Sequence, residues 1–302
     1  MPRERVAAID CGTNSLRLLI TDVDGDRKRD VVREMRIVRL GQDVDRTGRF
    51  AQEALDRTFA VTREYAEHIA VLGATRIRFC ATSAARDAAN ADELSRGVES
   101  ILGVPLEVLS GEEEARASYL GATRGLGGER GLVVDIGGGS TELVVGSGGA
   151  VEWATSLDLG SVRLTERFLA SDPPSVNEVT DCETFLEGAI RPVTSQLAPV
   201  TSIVGVAGTI TTVAAHVLAL PSYDSSLIHG ARLAVDDVRA ACVSLVSMNV
   251  ADRRALPFMH LGRADVIGAG ALILDRLLAD LPLETDELRV SEHDILDGIA
   301  WG

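Results

Sequence analysis

Apolar and polar residues run in two rhythms along this chain, and the switches between them mark its elements. Val6–Asp10 is a short run of β-type residues, and past a Gly-Thr-Asn-Ser turn Leu16–Val23 has the same character, so both predict strands. Asp24-Gly25-Asp26 has hairpin-turn chemistry, and Val31–Leu40 supplies a third extended segment. Across Gln52–Leu72 the rhythm changes: Leu55, Phe59, Tyr65, Ile69 and Leu72 recur at helical spacing. Arg76–Ala81 predicts a strand, Ala88–Leu102 a helix, Leu106–Leu109 a strand, and Glu112–Thr123 a helix with Ser110 as its N-cap. Gly125-Leu126-Gly127-Gly128 reads as a joint. The pattern then restarts with a strand at Leu132–Ile136, a turn at Gly137–Gly139 and a strand at Glu142–Val145. Later come a strand at Ser202–Val206, a Gly208-led helix through Leu220, and helices near Asp236–Val246 and Asp265–Leu278.

The two halves open alike. Ala7-Ala8-Ile9-Asp10-Cys11-Gly12-Thr13-Asn14-Ser15 is echoed by Leu132-Val133-Val134-Asp135-Ile136-Gly137-Gly138-Gly139-Ser140: strand, Asp, Gly-rich turn, strand. The expected domains are therefore residues 1–124 and 125–302, with the last helix free to pack back on the first lobe. Two such turns can grip one phosphate group from opposite lobes. Glycine lets the backbone approach closely, free N–H groups and Ser/Thr hydroxyls donate to an anion, and the paired Asp residues suit a hard cation that bridges to phosphate. A third loop, Gly205-Val206-Ala207-Gly208-Thr209, ends a strand and opens a helix, whose first N–H groups favour phosphate.

Charge narrows the reading. The net charge of −15, from 30 basic and 45 acidic residues, opposes nonspecific binding to nucleic acid or a membrane surface. It would also repel a polyanion at long range, so such a substrate would need local arginines, backbone N–H groups and a divalent cation. The single lysine, Lys28, stands in Arg-Lys-Arg, which excludes a Walker A loop. Cys11, Cys80, Cys182 and Cys242 fit no zinc spacing and read as buried thiols of a reducing compartment. The N-terminus shows no signal peptide and no apolar run reaches the ~18 residues of a membrane span. The expected location is cytoplasmic.

These strings resemble the exopolyphosphatase/guanosine pentaphosphate phosphohydrolase (Ppx/GppA) family. The resemblance is carried by Asp10-Cys11-Gly12-Thr13-Asn14-Ser15 with Arg17, by Ala81-Thr82-Ser83-Ala84-Ala85-Arg86, and by Ser110-Gly111-Glu112-Glu113-Glu114-Ala115. It continues through Asp135-Ile136-Gly137-Gly138-Gly139-Ser140-Thr141-Glu142, Leu159-Gly160-Ser161-Val162-Arg163-Leu164, Val206-Ala207-Gly208-Thr209 and Gly262-Arg263-Ala264-Asp265. It implies an α/β, two-lobed actin-like ATPase (ribonuclease H-like) superfold with a cleft between the lobes. The implied form is the short one, without the C-terminal helical domain of longer members. Thr13 stands where Ser is usual and keeps a hydroxyl; Ala207 stands where Gly is usual and would tighten the third loop.

By that resemblance Glu114 is the general base, with Glu113 as the alternative, and Asp135 and Glu142 hold Mg²⁺ (or Mn²⁺), with Asp10 as their first-lobe counterpart. Arg86 holds substrate phosphates together with Gly12, Thr13, Asn14, Ser15, Gly137, Gly138, Gly139, Ser140, Thr141, Gly208 and Thr209. Arg17 is either a phosphate contact or a strand surface residue, and Arg163 and Arg263 are expected in structural ion pairs. The implied substrates are polyphosphate or guanosine pentaphosphate, and a homodimer is an allowed assembly. Cys11–Arg17 also satisfies the Cys-x₅-Arg pattern of cysteine phosphatases. That loop should open a helix, whereas Leu18-Leu19-Ile20-Thr21 reads as strand. The rival functions are an actin-like small-molecule kinase and a sensor that binds polyphosphate or an alarmone without turnover.

Overall fold

The computed structural model describes residues 4–25, 27–124 and 130–302. The glycine joint read at Gly125-Leu126-Gly127-Gly128 and Asp26 of the hairpin turn lie outside them. The chain divides into two compact units, Met1–Gly121 with Ile295–Gly302, and Ala122–Asp294.

In the first unit, β1 (Glu4–Cys11), β2 (Ser15–Asp24), β3 (Arg27–Ile37), β4 (Arg76–Ala81) and β5 (Leu106–Val108) form one sheet in the order β3-β2-β1-β4-β5. The β1/β2 and β2/β3 pairs are antiparallel, and β1/β4 and β4/β5 are parallel. Both faces are covered, which is why β1 is an unbroken apolar run rather than an alternating one. Ala7, Ile9 and Cys11 join the cluster of Leu55, Tyr65, Ile69, Leu94 and Val98 from the helices Gln52–Leu72 and Ala91–Leu102. Ala8, with Leu19 and Cys80, meets Ile295, Leu296, Ile299 and Ala300 of the helix Ile295–Trp301. Gly298 lets that helix lie close, since a Cβ there would stand 1.9 Å from the Ala117 carbonyl oxygen. The fully buried Asp297 receives Lys28 Nζ at 2.7 Å and Arg33 at 2.5 Å, so the one lysine serves packing.

The second unit repeats the plan. β6 (Gly131–Ile136), β7 (Thr141–Ser147), β8 (Ala150–Leu157), β9 (Ile203–Val206), β10 (Arg232–Ala234) and β11 (Glu287–Val290) are ordered β10-β11-β9-β6-β7-β8. The antiparallel meander β6-β7-β8 matches β1-β2-β3, and the parallel pairs β6/β9 and β9/β11 match β1/β4 and β4/β5. β10 is added at the edge, antiparallel to β11. This is the duplicated α/β plan that the actin-like superfold requires.

Most predicted elements fall in place, including Gln52–Leu72 and Arg76–Ala81 with identical bounds. The helix expected at Ala88–Leu102 begins at Ala91, behind a separate short helix, Ser83–Asp87. Apolar periodicity did not mark β8, β10, β11, or the helices Ser161–Phe168 and Val176–Thr194. The last of these has a start signal in plain view, a capping box between Ser175 and Glu178. Among the described residues no helix is long and apolar enough to cross a membrane.

Candidate active site

Each unit presents the same turn after its first strand. Gly12 N–H donates to Ser15 O at 3.0 Å in one, and Gly137 N–H donates to Ser140 O at 3.0 Å in the other. The strand register places Asp10 opposite Arg17 and Asp135 opposite Glu142. The turns thus share a backbone but differ in the charge at their roots.

In the first unit that charge is balanced. Arg17 donates through Nε at 2.8 Å and a terminal nitrogen at 2.6 Å to Asp10 Oδ2. Asp10, expected as a third metal ligand, is therefore bound up with Arg17. Arg17, open in the sequence between phosphate contact and surface residue, is the partner of this buried carboxylate. Cys11, next in line, is buried, and burial together with the Asp10 charge pushes its thiol well above its ordinary range. It precedes a strand, as the sequence pattern requires, so it lacks the helix N-terminus that makes a thiolate nucleophilic.

The same unit brings Arg86 and Glu114 together. Arg86 sits on the short helix after β4, and Glu114 in the first turn of Gly111–Thr123; a terminal nitrogen of Arg86 donates to Glu114 Oε2 at 2.7 Å and to Leu109 O at 2.8 Å. Thr82 also hydrogen-bonds Glu114. Glu114 is only 7% exposed. Burial pushes its carboxyl up to about 7, against the opposing pull of Arg86 and the Thr82 hydrogen bond. Glu113 has a different task. It takes the Ser110 N–H at 2.8 Å while its own N–H donates to Ser110 Oγ at 3.2 Å, a reciprocal cap on the helix start. Hydrogen bonds from the Ser110 N–H and hydroxyl hold its carboxyl below the usual range. The two glutamates, indistinguishable in sequence, are thus separated by structure into a solvent-facing cap and a buried, arginine-paired acid.

In the second unit Asp135 and Glu142 are 6% and 1% exposed. Two carboxylates directly opposed across an antiparallel pair repel one another. Ser156 Oγ donates to Glu142 Oε1 at 2.7 Å and fixes one of its oxygens. Among the described residues no three His, Cys, Asp or Glu side chains converge as a ready metal cage. Two hard carboxylates nevertheless match the donor chemistry of Mg²⁺, which keeps several waters and takes its remaining ligands from phosphate. Thr141, expected to bind phosphate, gives its hydroxyl proton to Leu159 O at 2.6 Å. Ser140, Thr209 and, in the first unit, Thr13 are buried at their turns.

The third turn departs most from expectation. Ala207 has φ +67°, a left-handed conformation that glycine adopts freely and alanine does not. Gly208 lies under Arg263, whose Cζ would be 2.3 Å from an added Cβ and whose NH1 points at Gly208 O at 3.5 Å. Arg163 in turn donates through Nε to Gly139 O at 2.9 Å. Both arginines, expected in structural ion pairs, also reach backbone carbonyls of the glycine turns.

Comparison with known proteins shows the family. The family model described as the Ppx/GppA phosphatase family matches residues 19–301. The chain is 48% identical to Exopolyphosphatase 2 of Mycobacterium tuberculosis (strain H37Rv) over 99% of its own length and 98% of that protein. Among solved structures, an exopolyphosphatase-like protein is 42% identical with a TM-score of 0.90, covering 99% of this chain and 97% of that one. The Aquifex aeolicus Ppx/GppA family member is 35% identical with a TM-score of 0.83, covering 99% and 96%. An exopolyphosphatase from Cytophaga hutchinsonii is 25% identical with a TM-score of 0.91, covering 99% and 97%. With the family model matching residues 19–301 and a relative 48% identical over 99% of the chain, this chain belongs to the Ppx/GppA phosphatase family.

Proposed function

We propose that the chain is an exopolyphosphatase-type hydrolase that removes the terminal phosphate of inorganic polyphosphate by in-line attack of water. The observation that carries this reading is the buried Arg86–Glu114 pair at 2.7 Å. A carboxyl whose pKa lies near 7 is matched to proton transfer at neutral pH. Glu114 would accept a proton from the attacking water and aim it at the terminal phosphorus. Arg86, with a planar fork suited to phosphate, would hold that phosphate beside the base. The N–H groups of the glycine turns would take up charge that grows on the non-bridging oxygens, so that positioning and electrostatics supply most of the rate.

Asp135 and Glu142 are the residues that would hold Mg²⁺, or Mn²⁺ in its place. A cation bound there would screen the phosphate oxygens and offset the protein's own negative charge. The four free, buried thiols support a reducing compartment and so the cytoplasm.

Phosphate release from polyphosphate of several lengths, from guanosine pentaphosphate and from ATP, each with and without Mg²⁺, tests the proposal. Mg²⁺-dependent release from polyphosphate is expected. Binding without release would make the protein a sensor. Transfer to an added small acceptor in preference to water would make it a kinase.

A further inference from the structure

The segment Leu159-Gly160-Ser161-Val162-Arg163 has no part in the reaction as described, yet it is aimed at the second glycine turn. Ser161 N–H donates to Gly137 O at 3.0 Å. Val162 and Arg163 N–H donate to Gly138 O at 2.9 and 3.2 Å. Arg163 Nε donates to Gly139 O at 2.9 Å. Each carbonyl of the three-glycine turn thus has a donor from the start of the helix Ser161–Phe168. The approach is so close that a Cβ on Gly160 would lie 2.3 Å from both the carbonyl carbon and the oxygen of Gly138.

A trans peptide is planar, with its C=O and the following N–H pointing in opposite directions. Pinning the oxygens of Gly137, Gly138 and Gly139 to one side therefore turns the N–H groups of Gly138, Gly139 and Ser140 to the other. Among the described residues no acceptor takes those three N–H groups. Successive N–H groups held this way make an anion-binding concavity. The first unit reaches the same end with unrelated residues. Gly41 N–H donates to Thr13 O at 2.8 Å, and Val38 and Arg39 N–H donate to Asn14 O at 3.1 and 2.9 Å.

We propose that Arg163 and Gly160 are positioning residues: with the first turn of their helix they clamp the carbonyl side of the glycine turn and present its N–H side to the terminal phosphate of the substrate. The proposal rests on the hydrolase reading for its substrate. Arg163 acts here through the position of one N–H donor, not through its charge. Glutamine carries a donor nitrogen at the same bond distance along the side chain; methionine matches the length and has none.

The test measures polyphosphate hydrolysis and, separately, binding of inorganic phosphate by calorimetry, for wild type, Arg163→Gln and Arg163→Met. Arg163→Met should lose about 10–100-fold in kcat/KM, the range expected when an oxyanion donor is misplaced, and should bind phosphate correspondingly more weakly. Arg163→Gln should return both to within about threefold of wild type. Gly160→Ala should resemble Arg163→Met or be worse; should it fail to fold, the Arg163 pair still decides. A glutamine variant as poor as the methionine one overturns the clamp, because charge on the substrate would then be what matters. A methionine variant equal to wild type overturns it too. If wild type binds phosphate but hydrolyses nothing, the hydrolase reading falls and the clamp is judged on the binding arm alone.

Discussion

Replacing Glu114 with Gln should make the protein slower and, above neutral pH, more stable, and the two effects have one cause. Burial raises the Glu114 pKa from its ordinary 4.5 to about 7. At ~1.36 kcal/mol per pKa unit, the ionised side chain costs the fold up to about 3 kcal/mol relative to the neutral one. The sign follows from linkage. Between pH 4.5 and 7 the folded protein holds a proton here that the unfolded chain has released, so stability falls as pH rises through that window. Glutamine resembles the protonated acid at every pH and escapes the loss. Melting curves of both proteins at pH 5 and pH 8 should show the variant gaining on wild type at the higher pH, by a shift on the order of 5 °C. Turnover should fall by ~10²–10⁴, or roughly 3–5 kcal/mol of barrier, because Gln cannot take the proton from water. Wild-type kcat should climb from pH 6 to pH 8 as Glu114 ionises, and the residual rate of the variant should lack that climb. Glu113→Gln is the control. It loses only part of an exposed helix cap, worth about 1 kcal/mol, and should keep its activity. A melting difference that is the same at both pH values would refute the burial argument. Near-native turnover in Glu114→Gln would refute the base.

Asp135→Asn and Glu142→Gln should each lower activity, raise the Mg²⁺ needed for half-maximal rate and shrink the thermal shift that added Mg²⁺ produces; unchanged Mg²⁺ dependence in both would reject these ligands. Cys11→Ser should keep substantial activity, and a trapped phosphocysteine would overturn the water mechanism in favour of a thiolate. Ala207→Gly should stabilise the second unit by about 0.5–1 kcal/mol, the left-handed alanine strain of ~1–2 kcal/mol less the added chain entropy of glycine; a destabilised variant in denaturant unfolding would show that the alanine methyl packs favourably there.

Local pattern carried far because the fold is a duplication of a strongly patterned unit. The strand-Asp-glycine-strand string appears twice, and each copy became a hairpin with the same closing hydrogen bond. β8 and the helix Ser161–Phe168 were not legible. β8 is half-buried along most of its length, and the helix has eight residues, too few for a period of 3.6 to declare itself. β10 and β11, at three and four residues, are strands only because each has a neighbour to pair with.

The sequence by itself determined what depends on neighbours along the chain: the α/β class, the repeat, the glycine turns, the exclusion of a Walker A loop, and the family. Tertiary structure alone decided what depends on approach between distant segments. Glu113 and Glu114 have the same chemistry and differ only in which side of a helix meets Arg86, 28 positions away in sequence. Asp10 and Asp135 hold the same place in their strings and pair at the same seven-residue offset, so the arginine and the glutamate are written in the sequence, but only the pairing of the strands shows that these are the residues opposite them. That Arg163 reaches Gly139 O is visible only once its helix is laid against the glycine turn. Charge type is written in the residue, but the partner that sets its pKa, its hydrogen bond or its metal is chosen by packing.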